Sequence, residues 1–121
     1  MNDRFKFRAW DKINDKWLSN KNCIEIGTGY LTDFYDVEQA FKRRYVLMQC
    51  TGLKDKNGKL IYEGDIVEDA LMNRFTINFD EKYLSFLLTN IKTKESMVFY
   101  PNIKLEVIGN IYENPELLEV E

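Results

Sequence analysis

The stretch Arg74-Phe75-Thr76-Ile77-Asn78-Phe79 alternates polar and apolar side chains throughout, placing Phe75, Ile77 and Phe79 on one face. A period of two belongs to a half-buried strand, and the neighbouring segments extend the same pattern. Toward the C-terminus, Asp80-Glu81-Lys82 reads as a turn and Tyr83-Leu84-Ser85-Phe86-Leu87-Leu88 as the returning apolar strand. Two further strands are expected over Ser96–Tyr100 and Leu105–Tyr112, separated by Pro101-Asn102. Toward the N-terminus, Glu63-Gly64-Asp65 turns the chain into Ile66-Val67-Glu68. Leu60-Ile61-Tyr62 is a short strand that follows a hairpin centred on Asn57-Gly58, a pair that tolerates positive φ at both positions. Tyr45–Cys50 reads as another strand, ending at Thr51-Gly52.

The first third of the chain is less regular. Phe5, Phe7 and Ala9 alternate with Arg4, Lys6, Arg8 and Trp10, which predicts a strand with one buried face. Residues 11–16 then form a hairpin connection that returns through Trp17-Leu18. A short strand is expected around Ile24–Ile26. Asp36-Val37-Glu38-Gln39 has the form of a capping box, and Phe34, Val37 and Phe41 have helical spacing, predicting a short helix over residues 37–43. Near the C-terminus, Asn114 can cap, Pro115 suits the first helical position and Glu116 complements the helix dipole. The expected fold is a single domain over residues 1–121, mainly β with minor α. Its antiparallel or mixed sheet is curled into a partly open barrel, with one short mid-chain helix and a C-terminal helical turn.

Composition removes whole classes of chemistry. With 45% hydrophobic residues in 121, the chain can bury a core without disulfides or metal. Histidine is absent, which excludes imidazole bases, Ser-His and Cys-His nucleophile pairs and His-containing metal sites. Cys23 and Cys50 are too few for a zinc centre or a disulfide framework and read as buried thiols in a reducing cytoplasm. No stretch reaches the roughly 18 apolar residues of a membrane helix, and residues 1–8 lack the apolar segment of a signal peptide. No membrane association and no cofactor are expected.

The candidate sites are modest. Glu63 and Asp65 offer carboxylate oxygens to a divalent cation, but the structural reading, a turn built on Gly64 and Asp65, is preferred. Residues 1–60 carry a charge of +4 and residues 61–121 carry −7, which nets to −3. Arg4, Lys6, Arg8, Lys42, Arg43, Arg44, Lys54, Lys56 and Lys59 could line a basic groove in which Trp10 or Tyr45 stacks on bases. A pI near 5.1 argues against a large phosphate footprint, so nucleic acid is the runner-up partner. Trp10, Tyr62, Ile108, Ile111, Tyr112, Leu117 and Leu118 are the candidates for a subunit interface, with the C-terminal region favoured. No catalytic set is visible: Ser19, Ser85 and Ser96 have no histidine to activate them, and Gly27-Thr28-Gly29 lacks the context of a phosphate loop.

Three segments together carry a resemblance. They are Lys6-Phe7-Arg8-Ala9-Trp10-Asp11, the long run from Leu47 through Cys50-Thr51-Gly52-Leu53-Lys54-Asp55-Lys56-Asn57-Gly58-Lys59 to Gly64-Asp65-Ile66-Val67, and Glu106-Val107-Ile108-Gly109-Asn110-Ile111-Tyr112-Glu113-Asn114-Pro115-Glu116-Leu117-Leu118. In this order and spacing the chain resembles the YopX family of bacteriophage and prophage proteins, over nearly its full length. The resemblance implies a small, mainly β accessory protein of the bacterial host cytoplasm, with no assigned reaction and no catalytic residues to carry over. It further implies a homo-oligomer, with an unidentified phage or host protein as partner.

Overall fold

The computed structural model describes residues 6–17, 24–25 and 44–119, and divides the chain into two compact units, Met1–Cys50 and Thr51–Glu121. In the first unit, β1 (Lys6–Asp11) is flanked on one edge by β2 (Lys16–Trp17) and β3 (Ile24–Glu25) and on the other by β4 (Tyr45–Lys54), all antiparallel. The Lys12–Asp15 hairpin and the short strand at Ile24 lie where the sequence places them. The helix expected over residues 37–43 lies outside the described residues, as does Cys23.

Strand β1 departs from the simple alternation. Phe7 is only half-buried, whereas Arg8, on the face expected to meet solvent, is 7% exposed. Its guanidinium carbon lies 4.5 Å from the centre of the Trp17 ring, and Trp17 in turn meets its cross-strand partner Trp10 edge-to-face at 5.0 Å. Arg8 therefore lies beneath an aromatic side chain supplied by β2. A cation over an indole face is attracted by the ring quadrupole, which offsets part of the cost of taking the charge out of water.

Strand β4 runs on past the expected end at Thr51-Gly52 to Lys54. Gly52 lies within it at φ +83°, and the buried Thr51 hydroxyl donates to Ile61 O at 2.8 Å. In the second unit, β5 (Leu60–Tyr62) neighbours this end of β4. β6 (Asp65–Glu68), β7 (Arg74–Asp80), β8 (Ser85–Asn90), β9 (Ser96–Val98) and β10 (Glu106–Asn110) make a second sheet in the order β10-β6-β7-β8-β9. Every pairing in it is antiparallel, and the sheet curls into a half-barrel. A register shift between Val107 and Gly109 leaves Ile108 in a bulge. The core of this unit is Ile61, Val67, Phe75, Ile77, Leu88, Phe99 and Leu105. Complete burial of an aliphatic side chain contributes about 1.5–3 kcal/mol, so Ile61, Val67, Ile77 and Leu88 are among its principal stabilisers. The third residue of the alternating set, Phe79, is 37% exposed and packs edge-to-face on Phe86 at 5.3 Å.

One turn device recurs along the chain. Asp11, Asp55, Asp69, Asp80, Asn90 and Asn110 each open a turn, and each accepts two backbone N–H groups on Oδ1, from residues two to four positions on. Left-handed residues lie in five of these turns: Asp15, Gly58, Met72, Leu84 and Lys94. At Asn57-Gly58 only Gly58 has positive φ, and its N–H donates to Asp55 O at 3.0 Å. The hairpin is thus a type I turn closed by a left-handed glycine, not the doubly left-handed turn that Asn-Gly predicts. After Asp80 the turn takes in Tyr83 and Leu84, so β8 starts at Ser85 and those two apolar residues stand in solvent. The C-terminal turn over Pro115–Leu118 is a 3-10 helix. Asn114 is its N-cap residue and its carbonyl accepts from Leu117 N at 3.0 Å, but its side chain makes no capping bond; Oδ1 accepts the Asn110 N–H at 3.2 Å instead.

Candidate functional site

The carboxylates proposed for a cation are built into a turn. Gly64 adopts φ +87°, its N–H donates to Ile77 O at 2.8 Å, and its carbonyl accepts from Ile111 N at 3.0 Å. Asp65 is 1% exposed, and its Oδ2 accepts the Tyr62 N–H at 2.8 Å. Glu63 is half-buried on the same turn. Among the described residues no three His, Cys, Asp or Glu side chains gather in a way that could hold a metal ion.

Arg4, Lys42 and Arg43 lie outside the described residues. Arg8 is covered by Trp17, and Lys6 is half-buried. Arg44 grips Asp11 with two bonds, Nε to Oδ1 at 3.2 Å and Nη2 to Oδ2 at 2.9 Å, and lies 5.3 Å from the centre of the Tyr45 ring. Asp11 also accepts from the Ile13 and Asn14 N–H groups and from Asn14 Nδ2. The Arg44 guanidinium holds the Asp11 carboxyl well below the usual carboxylate range, against the opposing pull of burial and with help from the Asn14 and Ile13 donors. Lys56 pairs with Glu106 at 3.5 Å across the surface, and Lys54 and Lys59 are exposed. Of the proposed base-stacking residues, Trp10 is buried against Trp17 and Tyr45 lies beside Arg44.

The interface candidates divide in two. Trp10 and Tyr62 are core residues, 6% and 8% exposed. Ile108, Ile111, Tyr112, Leu117 and Leu118 are half-buried, and burial with the nearby Glu63 charge raises the Tyr112 hydroxyl above its ordinary pKa. Strand β10 is an edge of its sheet, as its apolar sequence allowed, but the start of its outer rim is occupied. Asp55 Oδ2 accepts the Val107 N–H at 3.0 Å, and Leu105 O accepts from Lys56 N at 2.8 Å. Asp55 is itself 7% exposed. Burial pushes its carboxyl up, but the bonds from Val107, Lys59 and Asn57 and the Lys59 charge outweigh that, leaving the pKa below its ordinary value.

The opposite edge, β9, is different, and sequence reasoning did not single it out. All three of its residues are exposed, with Met97 at 42%, Val98 at 52% and the adjoining Tyr100 at 49%. Register pairs Leu87 with Val98 and Phe79 with Phe86, and the Phe99 N–H donates to Phe86 O at 2.9 Å. Continued by one residue, this pairing sets Tyr100 opposite Ser85, beside the β7–β8 turn. There Tyr83 and Leu84 are 63% and 78% exposed. At the other end of β7, Leu71 and Met72 are 83% and 72% exposed on the β6–β7 turn. Next to them an open trough of about 580 Å³ is lined by Met72, Arg74, Lys92 and Thr93, with Arg74 tied to Glu68 at 3.2 Å. The signal available in the sequence was Asp80, whose side chain opens a turn long enough to expel Tyr83-Leu84 from the strand.

Comparison with known proteins gives a consistent placement. Residues 6–119 match the family model described as YopX protein. Among solved structures, the crystal structure of protein EF1440 from Enterococcus faecalis is similar, with a TM-score of 0.59 and 29% sequence identity, covering 94% of this chain and 97% of that one. No curated protein matches the chain.

Proposed function

The chain belongs to the YopX family, and from that premise we propose that it is a non-enzymatic accessory protein of phage or prophage origin, acting in the host cytoplasm as a homo-oligomeric protein-interaction module. The observation that carries this reading is strain combined with exposure. Leu84 and Met72 hold left-handed backbones, at φ +49° and +64°, while leaving their apolar side chains 78% and 72% in solvent. That conformation costs an L-residue roughly 1–2 kcal/mol, and glycine or asparagine would take it more cheaply. Among the described residues neither side chain is covered enough to recover that cost by packing. A strained, exposed apolar residue is accounted for by a contact made with another molecule.

The test is size-exclusion chromatography with light scattering, recording protein and nucleic-acid absorbance at low and high salt. The reading expects a discrete multimer, free of nucleic acid, that persists in salt. A monomer carrying nucleic acid that salt removes would contradict it and would promote the basic N-terminal half, because phosphate contacts weaken steeply with ionic strength.

A further inference from the structure

We infer that Asn57 is a self-modification site: its side-chain amide is lost to ring closure by the Gly58 nitrogen, and the hairpin held by Asp55 gates that loss. This inference is independent of the oligomeric reading. Asn57-Gly58 is the one Asn-Gly pair in the sequence. Glycine has no Cβ to hinder its nitrogen. Asn90, Asn102 and Asn110 are each followed by isoleucine, whose branched side chain crowds the same approach. Asn57 and Gly58 are both exposed, and nothing lies within 4 Å of the place a Gly58 Cβ would take. Water therefore reaches the reacting atoms.

The step is an intramolecular displacement with water as its co-reactant. The Gly58 nitrogen bonds to Asn57 Cγ, the Cγ–Nδ2 bond breaks, and the Gly58 proton departs on the amide nitrogen as ammonia. A cyclic imide remains. Water then adds to one of the two imide carbonyl carbons. Its oxygen and one hydrogen stay there as a carboxyl, and the other hydrogen returns to the Gly58 nitrogen as that C–N bond breaks. Opening at the side-chain carbonyl leaves aspartate at position 57. Opening at the main-chain carbonyl leaves isoaspartate, with the chain running through Cβ. Nothing is oxidised or reduced.

The folded hairpin opposes this step in two ways. Ring closure needs the Gly58 N–H proton removed, yet that N–H donates to Asp55 O at 3.0 Å. It also needs Asn57 Cβ and Gly58 N on the same side of the Cα–C bond. The third position of a type I turn holds ψ near 0°, which leaves Gly58 N rotated about 120° away from Cβ. Asp55 resists rotation out of that well. Its Oδ1 accepts the Asn57 and Lys59 N–H groups at 2.9 Å each, and its Oδ2 anchors the turn to Val107 at 3.0 Å. The reaction accordingly runs from an opened hairpin, and its native rate follows the fraction that is open. Isoaspartate inserts an extra backbone carbon between the nitrogens of positions 57 and 58. The N–H groups now gathered on Asp55 Oδ1 then no longer fit one oxygen, so the modification loosens the tie to β10 and refolding does not undo it.

The experiment stores wild type, Asp55→Ala and Asn57→Ser at neutral pH, each in native buffer and in denaturing guanidinium chloride. Chymotryptic mapping of residues 54–60 by mass spectrometry, with the isomers separated by chromatography, follows the replacement of NH2 by OH. In denaturant, position 57 should convert faster than any other asparagine and give both isomers, and Asn57→Ser should leave the peptide unchanged. Native wild type should convert at least about tenfold more slowly than the unfolded chain, and native Asp55→Ala at least about threefold faster than native wild type. If Asp55→Ala does not fold, Asp55→Asn replaces it. Equal rates in native buffer and in denaturant would overturn the gate. Slow native conversion that ignores loss of the Asp55 carboxylate would overturn Asp55 as its holder. No conversion at position 57 in the unfolded chain would overturn the site itself.

Discussion

Replacing Asp55 with alanine should lower stability by about 3 kcal/mol. One buried carboxylate accepts three backbone N–H groups: Asn57 at 2.9 Å, Lys59 at 2.9 Å and Val107 at 3.0 Å. The first two close the hairpin between β4 and β5, and the third, 52 residues away in sequence, fastens β10. Hydrogen bonds to a charged group contribute about 1.5–3 kcal/mol each when made. The Asn57 and Lys59 N–H groups lie at an exposed turn and can recover water after truncation. Val107 N–H is partly buried and recovers less, so the sum is discounted to about the value of one and a half such bonds. Asp55→Asn tests the same logic with less volume change, because its Nδ2 would point a donor at the Val107 donor. Urea denaturation with matched slopes measures both, and at this size a loss of about 3 kcal/mol lowers the melting temperature by roughly 10 °C. Asp55→Ala costing under about 0.5 kcal/mol, the range of ordinary surface changes, would refute the assignment of this carboxylate as the tie between the hairpin and β10. A pH dependence follows as well. Because folding depresses the Asp55 pKa, its contribution is complete above the ordinary carboxylate pKa near 4 and is lost as pH falls through the lower folded value. Wild type and Asp55→Ala should therefore converge in stability in strong acid.

Three further outcomes are expected. Leu84→Gly should stabilise the protein by about 0.5–1 kcal/mol, since glycine relieves the left-handed strain at an exposed site, and a lower melting temperature would contradict the strain. Gly109→Ala should destabilise by about 1–3 kcal/mol, because a methyl there would lie 2.5 Å from Asn114 Oδ1 and 2.7 Å from its Cγ; unchanged urea unfolding would show that the Asn110–Asn114 turn yields freely. Arg44→Ala should raise the Asp11 pKa toward the ordinary carboxylate value, read by carboxyl-carbon NMR titration, and an unmoved titration would mean that the amide donors alone hold it down.

Local information in the sequence reached most of the strands. The alternation at Phe75 and Ile77 and the short apolar runs at Tyr45, Leu60, Ile66 and Ser96 all correspond to strands. The turns were legible where Asp or Asn opens them, as at Asp11, Asp55 and Asp80. Errors arose where a distant segment decided the outcome. Arg8 alternates like a solvent-facing residue, and nothing within β1 announces that Trp17 will cover it. Asp11 and Asp55 read as turn residues, yet each also binds a group 33 or 52 residues away. Tyr83 and Leu84 resemble a strand in composition, but the Asp80 turn takes them. The candidate interface was harder to read for a related reason. Apolar content points to the C-terminal strand, while the accessibility of an edge also depends on which loops lie against it, and the Asp55 turn lies against β10.

Sedimentation velocity on the wild-type chain over a range of protein concentrations tests the central claim most directly. If the exposed apolar turns at Met72 and Leu84 serve contact between copies, a discrete multimer forms and its share grows as concentration rises. A single chain at every concentration would contradict the account.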